Sequence, residues 1–379
     1  MANVLTDLAA DIYKAADVVG RELVGVIPSS LINADGSQRV ALNDTVRSAF
    51  TRQATTVNVS PSMTIPEGTD QTVDNKTLSI TKAKAVQIPW TGEDMRHVNN
   101  GAGFTTIYGD QIRQAMRSLT NEMEVDLSTE GYRNASRAVG TAGTTPFAAN
   151  FDLIADVRKI LVDNGAPTDG QLSLIMDTAA GAKLRNLAQL QKANENGSDD
   201  MLRRGTLLDL QGLMMKESAG IQGHTKGTGA SFVTNGTFAV GETAIDVDGG
   251  SGTILAGDVV TFEGDTNKYV VASALAGGTV TLAAPGLRAS LADGVAVTVG
   301  DSYTGNIALH RNALEIAMRA PAVPTGGDNA DDAMTIQDPV SGLVFEIRSY
   351  KGYRKAMFEV AATWGVKAWK PEFIAAVLG

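Results

Sequence analysis

His97, His224 and His310 are the only histidines in 379 residues, and there is no cysteine. Without thiols there can be no cysteine nucleophile, no disulfide framework and no thiolate-bound zinc or iron–sulfur centre. No HExxH or paired-His spacing joins the three imidazoles, so a His-based metal site or a Ser-His-Asp triad begins with few parts. Oxygen ligation remains. Asp246-Val247-Asp248-Gly249-Gly250 opens like a calcium loop, yet the twelfth position counted from Asp246 is Gly257, where a cage needs glutamate. A turn between strands accounts for it. The string GIQGHTKGTG from Gly220 lacks the Gly-Lys-Ser/Thr order of a phosphate loop, and Gly250-Ser251-Gly252 continues as Thr253-Ile254, which is no nucleophile elbow. Pairs such as Glu122/Glu124 and Asp199/Asp200 are neighbours in sequence, whereas acid–base work needs carboxylates opposed in space. The expectation is a protein that is not an enzyme, with no catalytic residue, cofactor or metal.

Some side chains point to contact instead of catalysis. Glu122 and Asp126 stand at i, i+4 on a helical pattern, a like-charge pair that costs a few tenths of a kcal/mol unless a cation lies nearby. Both are candidates for contact between subunits. Trp364 and Trp369, set among Gly, Val and Ala, read as anchors of a core or an interface. The formal charge of −10, from 32 Lys+Arg against 42 Asp+Glu, argues against a protein that grips phosphates tightly. Asp7, Asp11 and Asp17 interrupt the N-terminal apolar stretch, so no signal peptide is expected, and no window is long and apolar enough to span a membrane.

These residues need elements to place them. Leu5, Leu8, Ile12, Ala16 and Val19 mark a short amphipathic helix, which either packs on its own domain or docks as an arm on a neighbour. Leu5 and Ile12 are its contact candidates. From Val46 to His97 the Thr/Val/Ser-rich alternation predicts strands flanking a polar excursion, residues 64–76, with no core of its own. Such a hairpin must pack on something else, its own chain or another. A long helix is predicted from about Phe104 to Ser136, with Thr105 or Thr106 as cap and Ile112, Met116, Leu119, Met123 and Leu127 at helical spacing. A second helix, Phe151 to Val162, stops at Asn164-Gly165, and a strand at QLSLIMD leads to a third helix capped by Thr178. GTLLDLQGLMMKES from Gly205 reads as strand.

Residues 235–304 carry eight acidic residues against two basic ones, six of the ten net negative charges. Their short runs TAIDV, GDVVTFEG, KYVVASAL, GTVTLAA and GVAVTVG predict a small β-barrel or sandwich inserted at a surface loop. In the closing block Val344, Glu346 and Arg348 alternate with Phe345, Ile347 and Ser349. A solvated strand face explains its basic bias by default, with contact to an acidic neighbour or to DNA as alternatives.

Four stretches, TLSITKAKAVQIPWTGEDM from Thr77, GTLLDLQGLMMKESAGI from Gly205, NIALHRNALEIAMRAP from Asn306 and RSYKGYRKAMFEVAATWGVKAWKPEFIAAVL from Arg348, resemble major capsid (coat) proteins of tailed phages, in particular of short-tailed Salmonella-type phages. The similarity runs in order along nearly the whole chain, and the inserted β-domain matches that branch in place and type. It implies an α+β tailed-phage capsid (Johnson) fold. The parts would be an N-terminal arm (1–45), an extended loop (46–100), a peripheral domain with a spine helix (101–139 and 335–379), an axial domain (140–222 and 305–334) and the insertion (223–304).

The resemblance also implies a function: self-assembly through hexamers and pentamers into an icosahedral shell around double-stranded DNA, by way of a scaffold-assisted precursor that expands on packaging. The implied partners are further copies of the chain, a scaffolding protein, a portal protein and weakly held DNA, with no membrane. The implied location is the virion, after assembly in the host cytoplasm. Gly131 is the hinge candidate for expansion. Some members of the family join a loop lysine to an asparagine by an isopeptide bond; Lys76, Lys82 and Lys84 stand at suitable positions, but this branch is not known for that reaction, and they are carried as subunit-contact candidates. The alternatives are a non-viral shell, tail or adhesin component, expected to give rings, fibres or small empty shells, and a carboxylate-based hydrolase, expected to show a concave cluster of perturbed acids.

Overall fold

The computed structural model describes residues 15–20, 25–49, 56–65, 67, 75–99, 104–192, 207 and 209–379. The fold is mixed and strand-rich, two sheets sharing one long helix, Phe104–Arg133. Ile112, Met116, Leu119, Met123 and Leu127 recur at helical spacing and are all buried, so this stripe is the seam on which both sheets close. The helix starts at Phe104, which places Thr105 and Thr106 inside it and not at its cap.

The first sheet has six strands. Leu31–Val40, Leu314–Pro321, Lys355–Ala368, Val344–Gly352 and Ala330–Gln337 follow one another, and Lys82–Thr91 pairs with the other edge of Lys355–Ala368. The expected division between residues 334 and 335 falls inside the strand Ala330–Gln337. Leu314, Ile316, Met318, Phe345 and Ile347 pack toward the helix. Part of the other face is also covered, while Lys351, Arg354, Lys355 and Lys367, which carry most of the closing block's basic bias, are exposed. Glu315, Arg319, Glu346 and Arg348 are buried on it. They survive burial because each has polar partners: Glu346 and Arg348 bond to each other, Glu315 accepts from Asn33, and Arg319 donates to the Asn33 carbonyl. Arg348 Nη2 donates to Glu346 Oε1 at 3.2 Å, and Arg39 Nη2 reaches the same oxygen at 2.6 Å.

The second sheet runs Arg137–Gly140, Ile374–Leu378, Tyr303–His310, Leu172–Met176 and Met214–Glu217, with the helix Asp152–Asp163 packed against it. That helix ends as the sequence foretells, with Gly165 at φ +83°. The next helix, Thr178–Arg185, is capped by Asp177 and not by Thr178: the carboxylate accepts from the Ala179 and Ala180 amides. Among the described residues of the GTLLDLQGLMMKES stretch, Met214–Glu217 forms the strand, after a tight turn in which the Leu210 and Leu213 backbones bond to each other. A helix the pattern did not reveal, Gly92–Asn99, has too few apolar positions to register as periodic.

Six strands between residues 232 and 299 close into an antiparallel barrel, Val259–Phe262 completing the ring by pairing with both Ala296–Val299 and Lys268–Ala276. Ile245, Val260, Phe262, Tyr269, Val271 and Leu282 fill it. The barrel is not hung from flexible linkers. Tyr269 pairs with Arg137 and Lys268 with Ala138, so the barrel and the second sheet are hydrogen-bonded as one.

At the junction His224 Nε2 lies 2.8 Å from Asp258 Oδ1, both residues buried. Asp258 also accepts from the Gly227 amide at 3.1 Å and the Leu255 amide at 2.7 Å. Tyr303 O–H donates to the Gly257 carbonyl at 2.6 Å, and burial drives its pKa upward. One of the eight acids read as part of a charged island is thus a structural acceptor. Asp246 and Asp248, which open like a calcium loop, lie in the strand Ala244–Asp248, and the expected turn follows at Gly249, φ +68°.

Candidate assembly surface

Strands Thr45–Ala49 and Asn75–Ser79 pair antiparallel, Thr45 opposite Ser79, and form the base of the expected loop. The base does have a core, borrowed from its own chain. Val46, Leu78 and Ile80 bury against Ala317 and Trp369 on the outer face of the six-stranded sheet. Gly365 makes room for this crossing, since a Cβ there would overlap the Ser79 carbonyl oxygen and come within 2.8 Å of Leu78 Cδ2. Trp369 Nε1–H donates to Glu315 Oε2, which also accepts from Ser48 Oγ at 2.7 Å, while Asn33 Nδ2 donates to Glu315 Oε1 at 2.8 Å. Lys76 Nζ stands 5.8 Å from the centre of the Trp369 ring. Glu315 escapes the sequence patterns; its signal is a lone acid in a strand that is apolar apart from Arg319, LEIAMRAP.

From Lys82 the chain joins the six-stranded sheet as the strand Lys82–Thr91, beside the long helix. Lys82 Nζ donates to Asp126 Oδ1 at 2.8 Å and Glu122 Oε1 at 3.0 Å, and Lys84 Nζ lies 3.4 Å from Glu122 Oε1. Trp364 Nε1–H donates to Asp126 Oδ2 at 2.8 Å. The structure therefore gathers five of the contact candidates, Lys82, Lys84, Glu122, Asp126 and Trp364, into one seam within the chain. The cation that the Glu122/Asp126 pair requires is supplied internally.

Burial opposes the charge on Lys82, but its bonds to Asp126 and Glu122 outweigh it and raise the pKa above 10.5. Burial also opposes the charge on Glu122, and Lys82 with Lys84 more than offsets it, lowering the pKa below 4.5. A protonated amine has no free electron pair, so this environment disfavours acyl attack by Lys82. The sign of the pH dependence follows. The Glu122 contribution is present above pH 4.5 and is lost as pH falls through its lowered value; the Lys82 contribution is present below pH 10.5 and is lost as pH rises through its raised value. Because these groups are partly exposed, the seam is worth only about 0.5–1 kcal/mol and weakens with salt. Lys82→Gln should lower stability by that amount at neutral pH, with the gap to the unaltered chain closing in acid below the lowered Glu122 value; a pH series of denaturant midpoints checks it.

Beyond the base the chain changes character. Val57, Val59, Met63 and Ile65 are 80%, 99%, 106% and 89% exposed, in a segment with no helix or strand over residues 56–65. Single exposed apolar residues are ordinary; four large ones within nine positions are a concentration of apolar surface that water disfavours.

Gly131 lies within the long helix, where a Cβ would come within 2.8 Å of Ile307 Cδ1, so its small size serves close packing of helix on strand. Leu5 and Ile12 lie outside the described residues; farther along the same stripe Ala16 and Val19 are buried in the main core.

No family model matches the chain, and no curated protein matches it. Among solved structures it is similar to the capsid structure of the cyanophage P-SCSP1u, with 11% identity over 92% of this chain and 86% of that chain and a TM-score of 0.49. It is similar to a structure from Mycobacterium phage Che8, with 13% identity over 88% and 84% of the two chains and a TM-score of 0.45. It is also similar to a virus-like particle from Pyrococcus furiosus, with 10% identity over 97% and 98% and a TM-score of 0.43.

Proposed function

We propose that the chain is a non-enzymatic structural protein, the repeating subunit of an icosahedral capsid of the tailed-phage type. The observation that carries this reading is the apolar run Val57, Val59, Met63 and Ile65, each at least 80% exposed. A patch that its own fold leaves uncovered is covered by a partner. When the partner is another copy and receives the patch on a different surface, the contact is head-to-tail, and such contacts make rings where the rotation between copies closes. Many weak contacts made together give a durable shell while each alone permits correction.

The sequence resemblance supplies the finer reading: hexamers and pentamers, the short-tailed Salmonella-type branch, assembly with scaffolding and portal proteins in the host cytoplasm, and expansion as double-stranded DNA enters. The net charge of −10 suits a container that holds DNA without gripping it.

The test is a variant with Val57, Val59, Met63 and Ile65 all changed to serine, compared with the unaltered chain, each with a scaffolding partner. The variant is expected to stay folded, with an unchanged circular dichroism spectrum and melting temperature, and to lose assembled particles at least tenfold by sedimentation and electron microscopy. Normal shells from the variant would overturn this account of the segment. Rings, fibres or small empty shells from the unaltered chain would assign it to a non-viral shell, tail or adhesin.

A further inference from the structure

Glu124 lies on the long helix with its carboxylate buried against the segment that precedes the first sheet strand. The Val26 amide donates to Oε1 at 2.5 Å, the Ile27 amide to Oε2 at 2.9 Å, and Ser218 Oγ to Oε1 at 2.7 Å. Consecutive amides converging on one anion make a backbone nest, occupied here by a side chain of the same chain.

Two glycines make the space. A Cβ on Gly25 would overlap Glu124 Oε1, and one on Gly220 would come within 2.6 Å of Glu124 Cγ. The turn that follows is tied from another side, where Lys216 Nζ donates to Ser29 Oγ at 2.8 Å. On either side of this stretch the chain is packed: Ala15, Ala16 and Val19 are in the main core, and Leu31–Val40 is in the six-stranded sheet.

We infer that Glu124 is the pin of a strap: it fixes residues 25–30 to the long helix, so that the seat of the N-terminal segment is set by the position of that helix. Hydrogen bonds fail beyond about 3.5 Å, and a helix that slides by one turn moves about 5.4 Å. A shift of that size releases all three donors together. The strap's geometry does not depend on the capsid reading.

The test is hydrogen exchange on the full chain, followed in the peptide spanning residues 21–30. Glu124→Gln keeps size and shape but turns one acceptor oxygen into an NH2 that faces a donor. Exchange at Val26 and Ile27 is expected to accelerate by about ten- to a hundredfold, with protease cleavage in the same segment rising in step and the buried helix core at 112–127 unchanged. Gly25→Ala is expected to give the same acceleration while altering no charge. Unchanged protection of Val26 and Ile27 in Glu124→Gln would overturn the proposal. So would unprotected Val26 and Ile27 amides in the unaltered protein, a measurement that decides the matter even if both variants fail to fold.

Discussion

Replacing Trp364 with alanine is expected to cost about 3–5 kcal/mol of stability, the range for deleting a buried large aromatic side chain. Trp364 is 0% exposed, heads the largest fully buried side chains, and sits where the long helix, the loop strand and the longest sheet strand meet. Its indole N–H also holds Asp126, which in turn holds Lys82. The alanine variant therefore opens a cavity and frees one carboxylate oxygen at once. Trp364→Phe separates the two effects: it keeps most of the volume and loses only the hydrogen bond, for about 1–2 kcal/mol. Denaturant unfolding of the unassembled chain reads both. Equal costs for the two variants would show that the hydrogen bond, and not the packing, dominates the site.

Asp258→Ala is expected to cost a similar 3–5 kcal/mol by another route. Little apolar volume is lost, but the buried His224 ring and Gly227 amide and the part-buried Leu255 amide are left without their acceptor. The damage should be local first. Hydrogen exchange at Gly227 and Leu255 should rise well before the barrel core around Val260 and Tyr269 opens. A variant whose barrel and junction exchange together would mean that they unfold as one unit and that Asp258 only adds to a shared total.

Much of this fold is legible in the sequence where the signal is local. The stripe from Ile112 to Leu127 announces a helix, Asn164-Gly165 announces where another stops, and all five Val/Thr/Ile runs between residues 243 and 299 become barrel strands. What escapes is set by partners far away in the chain. Glu346 and Arg348 look like one side of a half-exposed strand, and nothing nearby says that Arg39, 307 residues distant from Glu346, comes to lie over them. Burial of both faces turns an amphipathic pattern into a charged interior.

The seam shows the same limit from the other direction. Lys82, Glu122, Asp126 and Trp364 each stand out by type, and the like-charge spacing correctly demands a cation. Which cation answers depends on a pairing across 44 residues to Lys82 and one across 238 to Trp364. Asp258 was hidden differently. Counted among eight acids in an acidic stretch, it differs from the rest only in its neighbours in space.

The barrel's union with the second sheet bears on how this protein could be re-engineered. A module joined by two loops can be cut out and its ends sealed. Here the excision would also strip the rungs that Lys268 and Tyr269 supply, leaving Arg137–Gly140 as a bare strand edge. Unpaired edges recruit other chains. A trimmed subunit would thus gain a sticky margin, and any foreign module grafted at this point would have to bring a strand of its own in matching register, beyond a compatible pair of termini.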